Sequence, residues 1–272
     1  MALFTTSLNS GSNGNCYYIG NETEAVLIDA GISCRETEKR MKLLGLCMSK
    51  VKAIFISHEH TDHIKGVPSI SERFSIPVYI TDSTLRGCHD IARYSPRQLI
   101  SNVSVAVGGL TITPFPKMHD AQDPHSFLVS GNGVTIGVFT DIGKPCVHVQ
   151  NNFKLCHAAF LEANYDEDLL ENGNYPYFLK KRIMGDRGHL SNSQALEVFV
   201  KYKSPFFSHL FLSHLSKDNN CPVKAKTLFE GQAGRTRIVV ASRYVQSEVY
   251  TIENTNTHMP VPVPRMTQMS LF

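Results

Sequence analysis

Three histidines and an aspartate lie within six residues, directly after an apolar segment. The segment is 51–57 (VKAIFIS), and the residues that follow it are His58-Glu59-His60-Thr61-Asp62-His63. His58 and His60 are two apart, so in an extended chain they point to the same side. Asp62 and His63 come where the chain enters a helix and can face a second point. Imidazole and carboxylate groups bind divalent metal ions. The loop therefore predicts a metal site, and a solvated polar loop is the alternative.

The segments around this loop predict two sheets covered by helices. In the first third, short strands at 3–8, 16–19, 25–28 and 51–57 are separated by turn residues, and a helix is predicted at 33–44. Further strands are predicted at 78–80, 103–107, 111–115, 126–129, 134–139, 158–161, 206–212 and 237–240. Helices are predicted after the histidine loop as far as Phe74, at 177–184 and at 194–202. This mixture indicates an α/β fold with αββα layers rather than regular βαβ alternation.

The composition narrows the class of protein. Hydrophobic residues make up 42% of the 272 residues and charged residues 19%, which suits a globular core. No stretch approaches the roughly 20 apolar residues of a membrane helix, and the N-terminus lacks the pattern of a signal peptide. The seven cysteines never occur as CxxC, which argues against a disulfide framework or a thiolate zinc site and favours the cytoplasm. The net charge of +3 alone does not predict nucleic-acid binding.

The chain is predicted to contain one catalytic domain and a tail. No linker interrupts residues 1–250, which we assign to the domain. Residues 251–272 turn polar and proline-rich (NTNTHMPVPVPR), which is typical of an exposed tail.

The HxHxDH pattern resembles the signature of the metallo-β-lactamase superfamily. The order of the later segments resembles this family too, from Ser7 to about Tyr244. The resemblance implies a four-layer αββα sandwich and places further metal ligands where strands end. These are His119 after the strand TITPF, Asp141 after VTIGVF and His214 after LFLS.

The resemblance also implies how the ligands divide between two metal ions. One ion would be held by His58, His60 and His119, and the other by Asp62, His63 and His214, with Asp141 bridging them. All donors are nitrogen or oxygen, which suits zinc, manganese or iron. Two such ions would activate a water molecule and hold an oxygen of the substrate. Asp62 is also assigned a catalytic role.

Three neighbouring residues refine this assignment. His125 competes with His119, which is preferred because it directly follows a strand. Asp29 ends the strand AVLI and is predicted to orient an imidazole of the site. No cysteine lies at the bridging position, since Cys146 is five residues past Asp141. The pattern thus resembles hydrolases and nucleases rather than antibiotic-hydrolysing members.

Four further segments resemble the YycJ/WalJ-like branch of the superfamily. They are SGSNGNCYYI near the start, LEANYD at 161–166, GHLSN at 188–192 and LSHLSKDNN at 212–220. Tyr165 departs from the branch, where relatives often carry histidine. The resemblance implies a bacterial, cytoplasmic DNA exonuclease with a mismatch-repair-like role in DNA repair. The alternatives are a hydrolase of small phosphodiesters (cyclic nucleotides) or thioesters, and a non-catalytic metal-binding regulator.

Residues near these segments are predicted to contact the substrate. His189 precedes a helix start capped by Ser191 or Asn192, and we assign it as a phosphate clamp or general acid. Packing against the cap is the alternative. The weaker candidates for substrate contact are Ser10, Asn13, Asn164 and Ser191, whereas Glu162 is left between a structural and a site role. Positive charge at the entrance would come from Lys180, Lys181, Arg182 and Arg187, or these residues form only a solvated helix face.

The last five residues, QMSLF, resemble the QLxLF peptide that docks into the bacterial DNA sliding clamp. Leu271 and Phe272 can fill an apolar pocket, Gln268 can anchor the rim, and Met269 replaces leucine. The prolines before them favour an extended spacer. A chance match, or a tail that folds back onto the domain, is the alternative.

Overall fold

The computed structural model describes residues 2–88, 91 and 96–254. In chain order its strands are β1 (Ala2–Asn9), β2 (Cys16–Gly20), β3 (Ala25–Ile28), β4 (Val51–Phe55), β5 (Val78–Ile80), β6 (Arg97–Gln98), β7 (Val105–Val107), β8 (Leu110–Pro116), β9 (His125–Gly131), β10 (Val134–Phe139), β11 (Ala158–Glu162), β12 (His209–Ser213), β13 (Arg237–Val240) and β14 (Tyr250–Glu253). The helices are α1 (Cys34–Leu43), α2 (Thr61–Ile64), α3 (Val67–Phe74), α4 (Asp82–Arg86), α5 (Val147–Phe153), α6 (Glu167–Asn172), α7 (Tyr177–Met184), α8 (Asn192–Tyr202) and α9 (Pro222–Glu230).

The strands form two seven-stranded sheets of related design. The first has the order β14-β1-β2-β3-β4-β5-β6 and the second β13-β12-β11-β10-β9-β8-β7. In the first sheet, the pairs from β14 to β3 are antiparallel and those from β3 to β6 are parallel. In the second, β7 to β10 pair antiparallel and β10 to β13 pair parallel. In each sheet the parallel strands therefore end at one edge, where loops can meet.

The central strands of both sheets are buried on both faces, which explains their apolar sequences. Along β11, Ala158 and Phe160 point into a core between the sheets, and Ala159 and Leu161 point to an outer core. This outer core packs the second sheet against α5, α8 and α9, and a third core packs the first sheet against α1 and α3. A strand buried on both faces carries apolar residues at every position. The predicted αββα sandwich is confirmed.

Two elements differ from the sequence-based expectation. β14 extends through Glu253, pairs with β1 and buries Ile252 completely, so the sheet continues three residues past the predicted domain boundary at residue 250. Its alternating pattern covers only four residues, too short to stand out before a polar tail. The helix predicted up to Phe74 is divided at Lys65 and Gly66 into α2 and α3, because Gly66 packs against the backbone of Ile32.

All seven cysteines carry free thiols. Within the described part of the chain, no helix combines the length and apolarity that a bilayer-spanning segment requires.

Candidate metal centre

The structure brings the seven predicted metal ligands together at the carboxyl ends of the parallel strands. The HxHxDH loop follows β4, Asp141 follows β10, His214 follows β12, and His119 lies on the loop after β8. Loops at such an edge are held by rigid strands on either side. The ligand atoms form overlapping groups with all members within 4.8 Å of one another: His58, His60 and His119; Asp62, His63 and His214; His58, His63 and Asp141; and Asp141, Glu162, His189 and His214.

The first group corresponds to the first predicted metal position. Nε2 of His58 lies 3.1 Å from Nδ1 of His60. Nδ1 of His58 faces the Ser57 hydroxyl at 2.8 Å, and Nδ1 of His119 faces the Gly188 carbonyl at 3.1 Å. Because the second nitrogen of each ring is held by the protein, Nε2 of both residues is directed into the centre.

The second group corresponds to the second predicted metal position. Oδ2 of Asp62 lies 3.5 Å from Nε2 of both His63 and His214. Asp141 reaches both groups, because its carboxylate lies 3.2 Å from His63, 3.6 Å from His214 and 3.9 Å from His119. The Asp141 carboxylate therefore lies close to members of both groups.

The donor set fits divalent metal ions. Nε2 of His119, Nε2 of His214 and Oδ2 of Asp141 are buried and have no hydrogen-bond partner. A buried polar atom without a partner is costly, and convergent nitrogen and oxygen atoms of this kind are satisfied by a cation. These described residues can therefore hold divalent metal ions.

Charges in the centre set the protonation of the histidines in the metal-free protein. Burial lowers the pKa of His58 well below the usual range and that of His119 to about 4, so both rings are neutral ligands. Burial would also lower the pKa of His63, but the carboxylates of Asp141, Asp29 and Asp62 raise it to about 10. The pKa of His214 is raised well above its usual range against the effect of burial, first by Asp141.

The backbone is forced into the left-handed region at three residues of the site. Asp29, Asp141 and His214 have φ values of 59°, 54° and 55°, and each comes one or two residues after a strand. Residues other than glycine rarely adopt this conformation, which costs about 1–3 kcal/mol and persists where the surroundings impose it. Each of these residues thus marks a sharp change of chain direction at the end of a strand.

The predicted supporting role of Asp29 is confirmed. Its Oδ2 lies 2.7 Å from Nδ1 of His63, and its carboxylate also accepts hydrogen bonds from the backbone N–H and hydroxyl of Ser57. The side chain is completely buried. Asp29 thereby fixes His63 and the start of the HxHxDH loop together.

Glu162, whose role the sequence left open, joins three loops of the site. Its Oε1 lies 2.7 Å from Nδ1 of His189 and 3.1 Å from Nδ1 of His214. Its Oε2 accepts hydrogen bonds from the backbone N–H groups of Ile142 and Leu190. Burial would raise the pKa of Glu162, but His189 and His214 lower it to about 2, so it is a carboxylate at neutral pH.

His189 lies at the mouth of the centre. Its side chain is 22% exposed, and Nδ1 lies 3.8 Å from Asp141 besides its contact with Glu162. The ring stacks against His214 with centroids 5.3 Å apart. The Ser191 hydroxyl caps α8 two residues later, as predicted, within a capping box with Gln194. His189 is thus held on one side by a carboxylate and is accessible on the other.

Of the weaker candidates for substrate contact, Ser10 and Asn164 hold His214. The Ser10 hydroxyl accepts the backbone N–H of His214 at 2.8 Å. The Asn164 amide donates to the His214 carbonyl at 2.8 Å and lies 3.3 Å from its Nδ1. Asn13 is exposed and donates to the Arg243 carbonyl, and Ser191 is buried in the cap of α8. Direct contact of these four residues with substrate stays a prediction.

The sequence did not single out Asn15 or Lys117. The Asn15 amide is buried and donates to Oδ2 of Asp62 at 3.2 Å. The Lys117 ammonium is buried and donates to the Thr140 carbonyl, next to Asp141. Asn15 and Lys117 lie in the segments SGSNGNC and PKMH, which also contain predicted site residues. The contact between Asn15 and Asp62, 47 residues later, could not be predicted, because it depends on how two distant loops pack together.

The alternative ligand His125 takes no part in the metal-binding groups of the described residues. Its Nδ1 faces the carbonyl of Asp123 at 2.9 Å, within its own loop. The choice of His119 over His125 therefore agrees with the geometry. The predicted docking residues Gln268, Met269, Leu271 and Phe272 lie outside the described residues.

A cleft of about 210 Å³ leads to the centre. His189, His214 and Asn164 line its inner end, and Arg182 lines its wall. Arg182 also pairs with Asp120 at 2.6 Å, whereas Nζ of Lys180 donates to the Glu171 carbonyl. Of the predicted basic residues, Arg182 therefore reaches the cleft.

Comparison with known proteins agrees with this geometry. The family described as "Beta-lactamase superfamily domain" matches residues 24–214. The chain is 29% identical to "Exodeoxyribonuclease YycJ" of Bacillus anthracis over 267 residues, which cover 97% of this chain and 99% of the relative. It is 28% identical to "Exodeoxyribonuclease WalJ" of Streptococcus pneumoniae over 220 residues, covering 78% and 81%. The resemblance to the YycJ/WalJ-like branch is confirmed.

A solved structure shares the fold. The metallo-β-lactamase fold protein YhfI of Bacillus subtilis superposes with a TM-score of 0.71, covering 90% of this chain and 99% of that protein. The two sequences are 13% identical, so the likeness concerns the fold alone.

Proposed function

Because the chain belongs to the β-lactamase superfamily and is a metal-dependent hydrolase, we propose that it is an exodeoxyribonuclease that uses two divalent metal ions. The observation that carries this proposal is the pair of three-ligand groups joined by Asp141. Manganese, zinc and iron all suit these donors. Two ions held by these residues would activate a water molecule and would offset the negative charge of phosphoryl oxygens.

The residues of the chain hold and orient the reacting groups. Asp29 and Glu162 fix the rings of His63 and His214, and Asn15 fixes Asp62. Such supporting contacts change metal affinity or activity by about 10–100-fold when they are removed. Asp62, whose side chain is 22% exposed, is in addition proposed to act catalytically as a proton acceptor.

His189 is proposed as the group that protonates the leaving oxygen. The Glu162 carboxylate holds Nδ1 of the ring at 2.7 Å, and the partly exposed ring lines the cleft. A general acid must lie within hydrogen-bond reach of the leaving group, and the cleft beside His214 gives that access.

DNA is proposed as the substrate because two relatives covering most of the chain are named exodeoxyribonucleases. The proposed biological setting is DNA repair in a mismatch-repair-like context. Because the net charge is only +3, hydrolysis of small phosphodiesters is retained as the alternative function.

The test is a substrate panel with the manganese- or zinc-loaded chain. We expect hydrolysis of end-labelled DNA and of bis-p-nitrophenyl phosphate, and none of a thioester. Turnover of the thioester alone would overturn the nuclease proposal. Asp141→Asn should lose bound metal and at least about 100-fold in activity, because the shared carboxylate charge is removed. Asp186→Asn, an exposed carboxylate paired with Lys144, is the matched control.

A sliding-clamp partner is proposed for the last five residues. Binding through Gln268, Met269, Leu271 and Phe272 would raise the local concentration of the chain on DNA. Calorimetric titration with the sliding clamp of the same organism should detect binding by the full chain and none by a chain ending at Thr267. Equal binding by the two chains, or none by either, would refute this partner.

A further inference from the structure

Helix α7 places two exposed aromatic rings beside the cleft. Tyr177 is 73% exposed and Phe178 is 74% exposed. Within the described part of the chain, none of the residues of α7 is buried. Two adjacent, solvated aromatic side chains on a helix that has no core to support are unusual, because burying such rings is favourable.

The helix is nevertheless fixed to the metal centre. Leu179, Arg182 and Ile183, spaced i, i+3 and i+4, line the cleft together with His189 and His214. The Ile183 carbonyl accepts the backbone N–H of His189 at 2.9 Å. α7 is therefore a wall of the cleft rather than a distant surface element.

The two aromatic side chains in the first turn of this wall have cationic side chains one helical turn later. Phe178 and Arg182 are i, i+4 neighbours, as are Tyr177 and Lys181. The Lys181 ammonium lies 5.4 Å from the centroid of the Tyr177 ring, within the range of a cation–π contact. The helix sequence YFLKKRIM contains three cations and no carboxylate.

We propose that Tyr177 and Phe178 form a stacking platform for unpaired bases of a single DNA strand whose end enters the cleft. Every base has a face that can stack on an aromatic ring, and the Lys181 ammonium beside Tyr177 supplies positive charge for the phosphates between the bases. In a duplex the base faces are covered, so the platform selects single-stranded DNA or a frayed end. This inference rests on the proposed exodeoxyribonuclease function.

The test compares Tyr177→Ala/Phe178→Ala with the parent chain on a single-stranded oligonucleotide. Removing the rings should raise KM about ten-fold or more, because stacking is lost. The ratio of kcat/KM for this oligonucleotide to that for one with abasic sites near its end, which has no base to stack there, should fall by the same factor. The exchanged pair Tyr177→Phe/Phe178→Tyr should restore KM. Leu43→Ala, at the C-terminal end of α1 and 66% exposed, controls for loss of exposed apolar surface.

A spectroscopic signal separates stacking from a structural effect. A 2-aminopurine base placed a few nucleotides from the strand end should be quenched by the parent chain and not by the double alanine variant. An unchanged KM and equal quenching in that variant would overturn the platform, and so would tighter binding of RNA than of DNA.

A different result would show that the proposed nuclease function, rather than the stacking platform, is wrong. If the metal-loaded chain hydrolyses bis-p-nitrophenyl phosphate but no DNA, the proposed function fails. Anisotropy of labelled single-stranded DNA with chelated protein still measures the platform: weaker binding by the double variant supports it, and equal binding overturns it.

Discussion

His63 and His119 occupy neighbouring positions but differ in charge in the metal-free protein. Burial keeps His119 neutral by lowering its pKa to about 4, whereas three carboxylates, opposing burial, raise the pKa of His63 to about 10. Both values refer to the centre before metal binds. A metal ion at His63 must therefore displace a proton, whereas one at His58 and His119 displaces none near neutral pH.

We accordingly predict that the two metal positions fill with different pH dependence. From pH 6 to pH 8, affinity at the Asp62–His63–His214 position should rise about ten-fold per pH unit for each displaced proton. Affinity at the His58–His60–His119 position should change little. Zinc titration of chelator-treated protein should show about one tightly bound zinc ion per chain at pH 6 and about two at pH 8. Equal stoichiometry and affinities at the two pH values would contradict this.

Glu162 connects the proposed acid His189 to the ligand His214 through one carboxylate oxygen. Glu162→Gln keeps the size of the side chain but removes the negative charge that contacts Nδ1 of both His189 and His214. We predict a 10–100-fold loss of kcat or metal affinity, roughly the effect of removing a supporting contact, and a change in the pH profile of kcat. Glu197→Gln on the exposed face of α8 is the control. A parent-like profile in Glu162→Gln would show that Glu162 only holds loops together.

The loops that carry the site pack against each other with no space at Gly31. A Cβ atom there would lie 1.7 Å from the Asp62 carbonyl, and the Gly31 N–H donates to the Asn15 carbonyl at 2.8 Å. The loop after β3 therefore sets the position of the helix start that carries Asp62 and His63.

Gly31→Ala should separate these two loops. We predict that the metal-free protein loses about 1–3 kcal/mol of unfolding free energy, as in other overpacked sites, and that zinc binding weakens. Urea unfolding and a zinc titration measure the two effects. Gly231→Ala is the matched control, because a Cβ there meets only ordinary contacts at 3.6 Å. Parent-like zinc affinity in Gly31→Ala would show that the loops adjust independently.

The elements that sequence predicts best are those with a strong local signal. The strands at 134–139 and 237–240 and the helix at 177–184 have their predicted bounds, because apolar segments there end at turn residues. The seven metal ligands were predicted from their positions at the ends of predicted strands and from the family resemblance. Asn15, Lys117 and the function of Glu162 did not follow, because each acts across a contact between loops distant in the chain. Such contacts depend on tertiary packing, which no local pattern encodes.

At the scale of the whole molecule, the C-terminal strand closes one edge of the first sheet. β14 pairs with β1 from Ala2↔Glu253 to Thr5↔Tyr250. Tyr250 and Ile252 join Leu3 in the core between the sheets. Without β14 the edge of β1 would expose unpaired backbone groups and apolar side chains. The folded domain thus includes this strand, and the clamp peptide proposed above lies outside the described residues.

This arrangement predicts where the chain can be shortened. A chain ending at Asn254 should unfold at the same urea concentration as the full chain and hydrolyse bis-p-nitrophenyl phosphate at the same rate, because the described sheets remain complete. A chain ending at Val249 should lose about 3 kcal/mol or more of unfolding free energy, since two buried side chains and a strand pairing disappear. Ile252→Ala in the full chain separates loss of packing from loss of pairing, and its smaller destabilisation should fall between the two truncations. If the chain ending at Val249 were as stable as the one ending at Asn254, β14 would not contribute to stability, and the boundary predicted at residue 250 would be supported.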